Sequence, residues 1–342
     1  MKATTFLVSA FCVARAVSAS AQPPQQAPPP PCVDAADVRF VCGQQGPEDL
    51  VVVPGGAWVV TGVFGGAGGI NVIRASDRTS MKAYPSALSK DRFDRKAYPA
   101  CPGPPDVSKF TTHGLSILPG RRNVHRLFVV GHGGREAIEV FELDARPQMP
   151  VLTWIGCAVA ADPIGLNSVR GLPDGGFIAS NFLPRGAPQA ATQRMMAGEM
   201  NGELWEWHAR SGWQKVPGSD AAGANGLEMS GDGKTLYVAA WGSQSFFRLS
   251  RGSAAASRDE IPLGFRVDNL RWARDGSILA AGQGAGGTVV VRIDPKTLAV
   301  KDVLKRPAAN GFGAGTVAVE VGSAYWIGSF AGDRIAVVSA SR

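Results

Sequence analysis

SGDGKTLYVAAW, residues 230–241, reads as a tight turn feeding a strand. Gly and Asp in the G-D-G core tolerate the positive φ that hairpin turns demand. The strand after it is too apolar for a sheet with one wet face. The same device recurs as VPGGAWVVTG from 53, LPGRRNVHRLFVVG from 118, LPDGGFIAS from 172, ARDGSILAAG from 273 and VGSAYWIGS from 321. Six hairpins at intervals of roughly 45–65 residues make a repeat, and a four-stranded propeller blade has about this period. A large sandwich has compatible spacing but seldom repeats one hairpin signature six times. The expectation is an all-β fold, a six-bladed β-propeller of four-stranded antiparallel blades forming one domain over 32–342.

The N-terminus stands apart. Residues 1–21 have a basic start at Lys2, an apolar run from Phe6 to Ala14 and an A-x-A ending at Ala19 and Ala21. That pattern predicts a secretory signal peptide and a secreted or periplasmic product. Residues 22–31, QPPQQAPPPP, read as a Pro-rich linker. No other run approaches the ~20 apolar residues of a membrane span. Loss of Lys2 and Arg15 with the signal reduces the net charge from +7 to +5. The remaining basic residues are scattered, without the concentrated stripe of a nucleic-acid binder. Cys32, Cys42, Cys101 and Cys157 follow the signal, an even number that permits two disulfides in any of three pairings. No C-x-x-C occurs, which argues against structural zinc.

Innermost strands line a propeller's channel, so polar residues at their ends matter most. Glu48-Asp49 precedes the first hairpin, His113 and His132 bracket the second, and Asn167, Asn225 and Asp268-Asn269 open the third, fourth and fifth. Singly, each has an ordinary explanation: an Asx turn, a bend, a solvated acid, a satisfied histidine. Together, and His132 aside, they lie about six residues before their turns, in otherwise apolar tracts. Carboxylate and amide oxygens converging from several blades suit Ca²⁺, which takes 6–8 oxygen ligands. Zinc would want more His or Cys than this.

At these residues the chain resembles the paraoxonase/arylesterase family of calcium-dependent propeller lactonases and esterases. The match runs in order through P-E-D-L at 47–50, H-G-L-S at 113–116, V-V-G-H at 129–132, L-N at 166–167, A-N-G-L at 224–227 and V-D-N at 267–269. Related gluconolactonase/regucalcin-like and strictosidine-synthase-like propellers share the A-N-G and Asp elements but not the histidine pair. The resemblance implies that Glu48, Asn167, Asn225, Asp268 and Asn269 hold a catalytic calcium and that His113 and His132 form a dyad. It also implies a second, structural calcium on Asp49, the Leu115 carbonyl and an acid following the Asn167 position. This chain has Ser168 there, which puts the second ion in doubt. The family joins its termini by a disulfide; no cysteine follows Cys157 here, so closure must rest on β-pairing or another bridge.

The implied activity is hydrolysis of lactones or aryl and alkyl esters, with small molecules as the only partners inferred. Calcium would stabilise the oxyanion, His113 would act as base, and His132 would orient it; Asp268 competes as base or nucleophile. Residues 182–200, with Met195 and Met196, are read either as an adaptable lid favouring alkyl lactones or as a plain surface loop. Two rival functions stand beside this one: a gluconolactonase-like sugar lactonase, and a non-enzymatic calcium-stabilised binding propeller.

Overall fold

The computed structural model describes residues 30–340 except 67 and 253–256. The signal-peptide and most of the linker reading therefore lie outside the described residues. Six antiparallel sheets follow one another round a ring, each opening with its innermost strand. These inner strands are Leu50–Val52, Thr111–Leu118, Leu166–Gly171, Ala224–Met229, Arg266–Trp272 and Gly315–Val321. A two-residue strand, Lys90–Asp91, adds a parallel edge to blade 2. The chain is thus the six-bladed propeller that its hairpins predict.

Each quoted hairpin joins an inner strand to the second strand of its blade. In the Asp-Gly turns, Gly233 and Gly276 take φ of +73° and +82°, while Asp232 and Asp275 accept hydrogen bonds from the N–H groups of Lys234 and Ser277. The second strands are sandwiched between neighbouring blades, so all residues of Trp58–Gly62 and Phe177–Asn181 are buried. Continuous apolar strands are the physical consequence of two buried faces. Aromatic rings fill the gap between blades 2 and 3, where Phe128 and Phe177 are 5.9 Å apart, and Phe177 stacks on Trp207 within blade 3 at 5.0 Å.

Ring closure rests on β-pairing. Arg39–Val41 forms the outer strand of blade 6, antiparallel to Ile335–Ser339. Beside it, the buried Arg334 donates to the carbonyls of Pro30, Pro31 and Asn310 and lies over the Phe40 ring. Of the three possible pairings the disulfides are Cys32–Cys42 and Cys101–Cys157. Among the described residues no helix is long and apolar enough to cross a membrane.

Four inner strands share one irregularity. In blades 2 to 5, two residues oppose a single residue of the second strand: His113-Gly114, Asn167-Ser168, Asn225-Gly226 and Asp268-Asn269. These are β-bulges, which leave the ladder and re-aim side chains. Neighbouring bulges touch through backbone: a Cβ on Gly114 would fall 2.4 Å from the Asn167 carbonyl oxygen, and one on Gly226 would fall 2.3 Å from that of Asp268. Gly114→Ala should therefore lower stability by about 1–3 kcal/mol. Gly231→Ala, at an open turn position without positive φ, should shift it by less than about 1 kcal/mol. Thermal unfolding of the two variants checks the contrast.

Candidate functional site

The bulges lie at one level of the channel, at the end away from the six hairpin turns. From them and the segment before Leu50, the structure brings together Glu48, His113, Asn167, Asn225, Asp268 and Asn269. Asn269 Nδ2 donates to Glu48 Oε1 at 2.5 Å across the ring, and Glu48 Oε2 lies 3.7 Å from His113 Nε2. His113 Nε2 is in turn 3.5 Å from the Asn167 amide nitrogen. Gln283 donates to Asp268 Oδ2 at 2.7 Å. Thr316 of blade 6 fixes the strand entry by donating to the Glu48 carbonyl at 2.5 Å.

Four oxygens in this cluster, Glu48 Oε2, Asn167 Oδ1, Asn225 Oδ1 and Asn269 Oδ1, are buried with no hydrogen-bond partner. Each such atom costs about 1–3 kcal/mol when left unpaired. Four in one cluster, contributed by blades 1, 3, 4 and 5, have the chemistry that suits a hard cation. Burial holds the Glu48 carboxyl well above the usual range, reinforced by the charges of Asp268 and Asp49. Burial also pushes Asp268 up to about 7, against the amides of Gln283 and Asn225. Carboxylates this crowded in a dry site ionise readily only beside a compensating cation. Among the described residues no three His, Cys, Asp or Glu side chains gather as a metal group. The cage instead combines two carboxylates with three amides, a calcium-like rather than zinc-like composition. The residues present fit a calcium ion.

The histidines form a directed chain. His113 Nδ1 and His132 Nε2 are 3.1 Å apart, and His132 Nδ1 is 2.8 Å from Glu136 Oε2. Glu136 Oε1 also accepts from the Leu166 N–H at 2.6 Å. In its neutral form His132 carries its proton on Nδ1, toward a carboxylate that offers only acceptors, and presents a lone pair at Nε2. His113 then donates from Nδ1, leaving the lone pair of Nε2 facing the cage. Burial, with His132 beside it, pushes His113 well below the usual imidazole range, favouring this neutral form.

Asp49 stands apart from the cage, buried on the axis and engaged by Arg271. Several contributors are not singled out by the sequence reading. Glu136 follows His132 by four residues in H-G-G-R-E. Phe182, Trp241 and Gln283 occupy in blades 3, 4 and 5 the position that His132 occupies in blade 2, one step beyond the residue paired above the bulge. Trp241 Nε1 donates to Gln283 Oε1 at 2.9 Å, and Phe182 meets Trp241 edge to face. Phe64 lies 4.5 Å from the His113 ring, centre to centre. Residues 182–200 carry a helix, Gln189–Met196. Met195 is buried and wedged against Gly223 and Gly242, leaving Met196 exposed. A lid using both methionines is therefore not what the segment forms, because Met195 serves as the anchor of the helix.

No protein-family model matches the chain, and no curated protein matches it. Among solved structures, a luciferin-regenerating enzyme matches with a TM-score of 0.57 over 87% of this chain and 93% of its own, at 14% identity. Virginiamycin B lyase from Staphylococcus aureus matches at 0.52 over 88% and 98%, with 11% identity. A gluconolactonase from Xanthomonas campestris matches at 0.53 over 91% and 92%, with 16% identity. At such identities the likeness is one of fold, shared with proteins of differing named activities.

Proposed function

We propose that this chain is a calcium-dependent hydrolase that opens lactones or cleaves aryl and alkyl esters at the cage end of its channel. One observation carries the reading: four partnerless buried oxygens share the end of the channel with an imidazole whose Nε2 lies 3.7 Å from one of them. The motif resemblance to paraoxonase-type enzymes and the fold shared with a gluconolactonase support it. Export is part of the proposal, since both cysteine pairs are disulfides and such bonds belong to oxidising compartments.

A calcium ion held by Glu48, Asn167, Asn225, Asp268 and Asn269 would supply the positive charge that polarises a substrate carbonyl. His113 Nε2 is placed to accept a proton from a water molecule entering the channel. His132 holds the ring of His113 and stabilises the charge it gains, while Glu136 fixes the tautomer of His132. Gln283 keeps one oxygen of Asp268 occupied, which favours Asp268 as a ligand over Asp268 as a base.

Phe64, Phe182 and Trp241 are half-buried beside the dyad and the cage. Aromatic rings beside the site favour alkyl or aryl substrates over a bare sugar lactone. The sugar-lactonase reading keeps the same cage and gives the histidines no task.

The purified chain should hydrolyse phenyl acetate, a γ- or δ-alkyl lactone and an acyl-homoserine lactone faster than gluconolactone, and lose turnover on chelation. Turnover confined to gluconolactone would favour the sugar-lactonase reading; no turnover, with calcium still raising the unfolding temperature, would favour a binding propeller. His113→Gln should lose about 10²–10⁴-fold in turnover while keeping calcium binding by titration calorimetry. Glu136→Gln should lose about 10-fold or more, since an amide no longer dictates the tautomer of His132.

A further inference from the structure

Beneath the cage the channel holds a second polar level, and it is closed. The Arg271 guanidinium, on a residue 7% exposed, donates from Nη2 to both oxygens of Asp49 and to the Leu115 carbonyl, the last at 3.0 Å. Its Nε donates to the Leu50 carbonyl at 2.9 Å and its Nη1 to the Leu270 carbonyl at 2.7 Å. Asp49 is completed by the N–H groups of Leu50 and Leu115, at 2.8 and 2.7 Å. The inner strands of blades 1, 2 and 5 are thus tied at the axis by one side chain. Asp49 and the Leu115 carbonyl are the groups to which the family resemblance assigns a structural calcium, and its further acid is Ser168 here. A second ion does not fit: both Asp49 oxygens are taken by a tethered cation, and the further carboxylate nearby, Glu228, already faces two cations, Arg170 Nε at 3.3 Å and Arg271 Nη1 at 3.9 Å.

We propose that Arg271 is the resident cation of this lower level, doing covalently what a second calcium ion would do, so that the chain takes calcium only at the upper cage. One guanidinium matches one carboxylate and three carbonyls in charge and in donors, whereas a divalent ion on the same groups would have only the single carboxylate of Asp49 to balance it. The arrangement also orders the two levels. Removing calcium empties the cage while leaving the axis of the ring bound together. This inference does not depend on which ester or lactone is cleaved, or on hydrolysis at all.

Calcium per chain, measured by elemental analysis after equilibrium dialysis, tests it directly. The wild type should hold no more than one equivalent, and Glu48→Gln/Asp268→Asn, which neutralises the cage, should hold none. Two equivalents in the wild type, or one that survives in this double variant, would overturn the proposal. A wild type holding none would sink the calcium cage but leave the Arg271 assignment standing. Arg271→Met should lower the unfolding temperature in a way that added calcium does not repair, and an unchanged temperature would count against the tie. Arg271→Ala/Ser168→Asp should gain one equivalent and regain stability only with calcium. A folded double variant whose calcium count stays unchanged would refute the equivalence of the two cations.

Discussion

Everything at the functional end depends on crowding at the propeller axis. Six inner strands converge there, and at one level neighbouring strands meet backbone to backbone, with Gly114 against Asn167-Ser168 and Gly226 against Asp268-Asn269. At that level blades 2 to 5 are bulged, so their polar side chains leave the ladder together and turn toward one space. Packing between blades leaves that space dry. Any polar group delivered there must find a partner among the others or in a bound ion.

The two levels of the channel answer this requirement differently. The lower one closes on itself: Asp49 and Arg271 satisfy one another and recruit carbonyls from three strands. The upper one does not close. Gln283, Asn269 and Thr316 satisfy part of it, yet four oxygens remain without donors. Since an uncompensated buried anion is costlier than a paired one, the same physics yields a tethered cation below and calls for a diffusible one above.

Much of this was legible in the sequence, because its signals are local. A G-D-G core announces a hairpin by its own φ preference, and two buried strand faces leave an unbroken apolar run. Asn167, Asn225 and Asp268 stand out as polar residues breaking such runs at one offset. What was hidden depends on distant partners. Arg39–Val41 gives no sign that it completes the blade begun at Gly315, and the cysteine count cannot choose among three pairings. Glu136 becomes visible only when the H-G-G-R-E turn folds back onto His132. Phe182, Trp241 and Gln283 do carry a signal, since they follow the second strand's bulge register as His132 does, but among the four only a histidine stands out by residue type. Arg271 is one more charge in RVDNLRW as far as local sequence goes, because nothing local says that its carboxylate lies 222 residues away.

A propeller fold does not choose between enzyme and binding platform, and the solved structures that share it carry both lyase and lactonase names. The choice rests on direction. A polar cluster selected only to hold blades together gains most by closing, as the Asp49–Arg271 level does. The histidine chain is closed at one end alone. Glu136 is anchored by the Leu166 N–H, and each proton position follows from it along His132 to His113, so the one basic atom left over lies beside the unfilled oxygens. An anchored acceptor at Glu136 and an imidazole nitrogen beside the cage are the geometry on which the proposed proton transfer rests, and a purely structural cluster has no need of it.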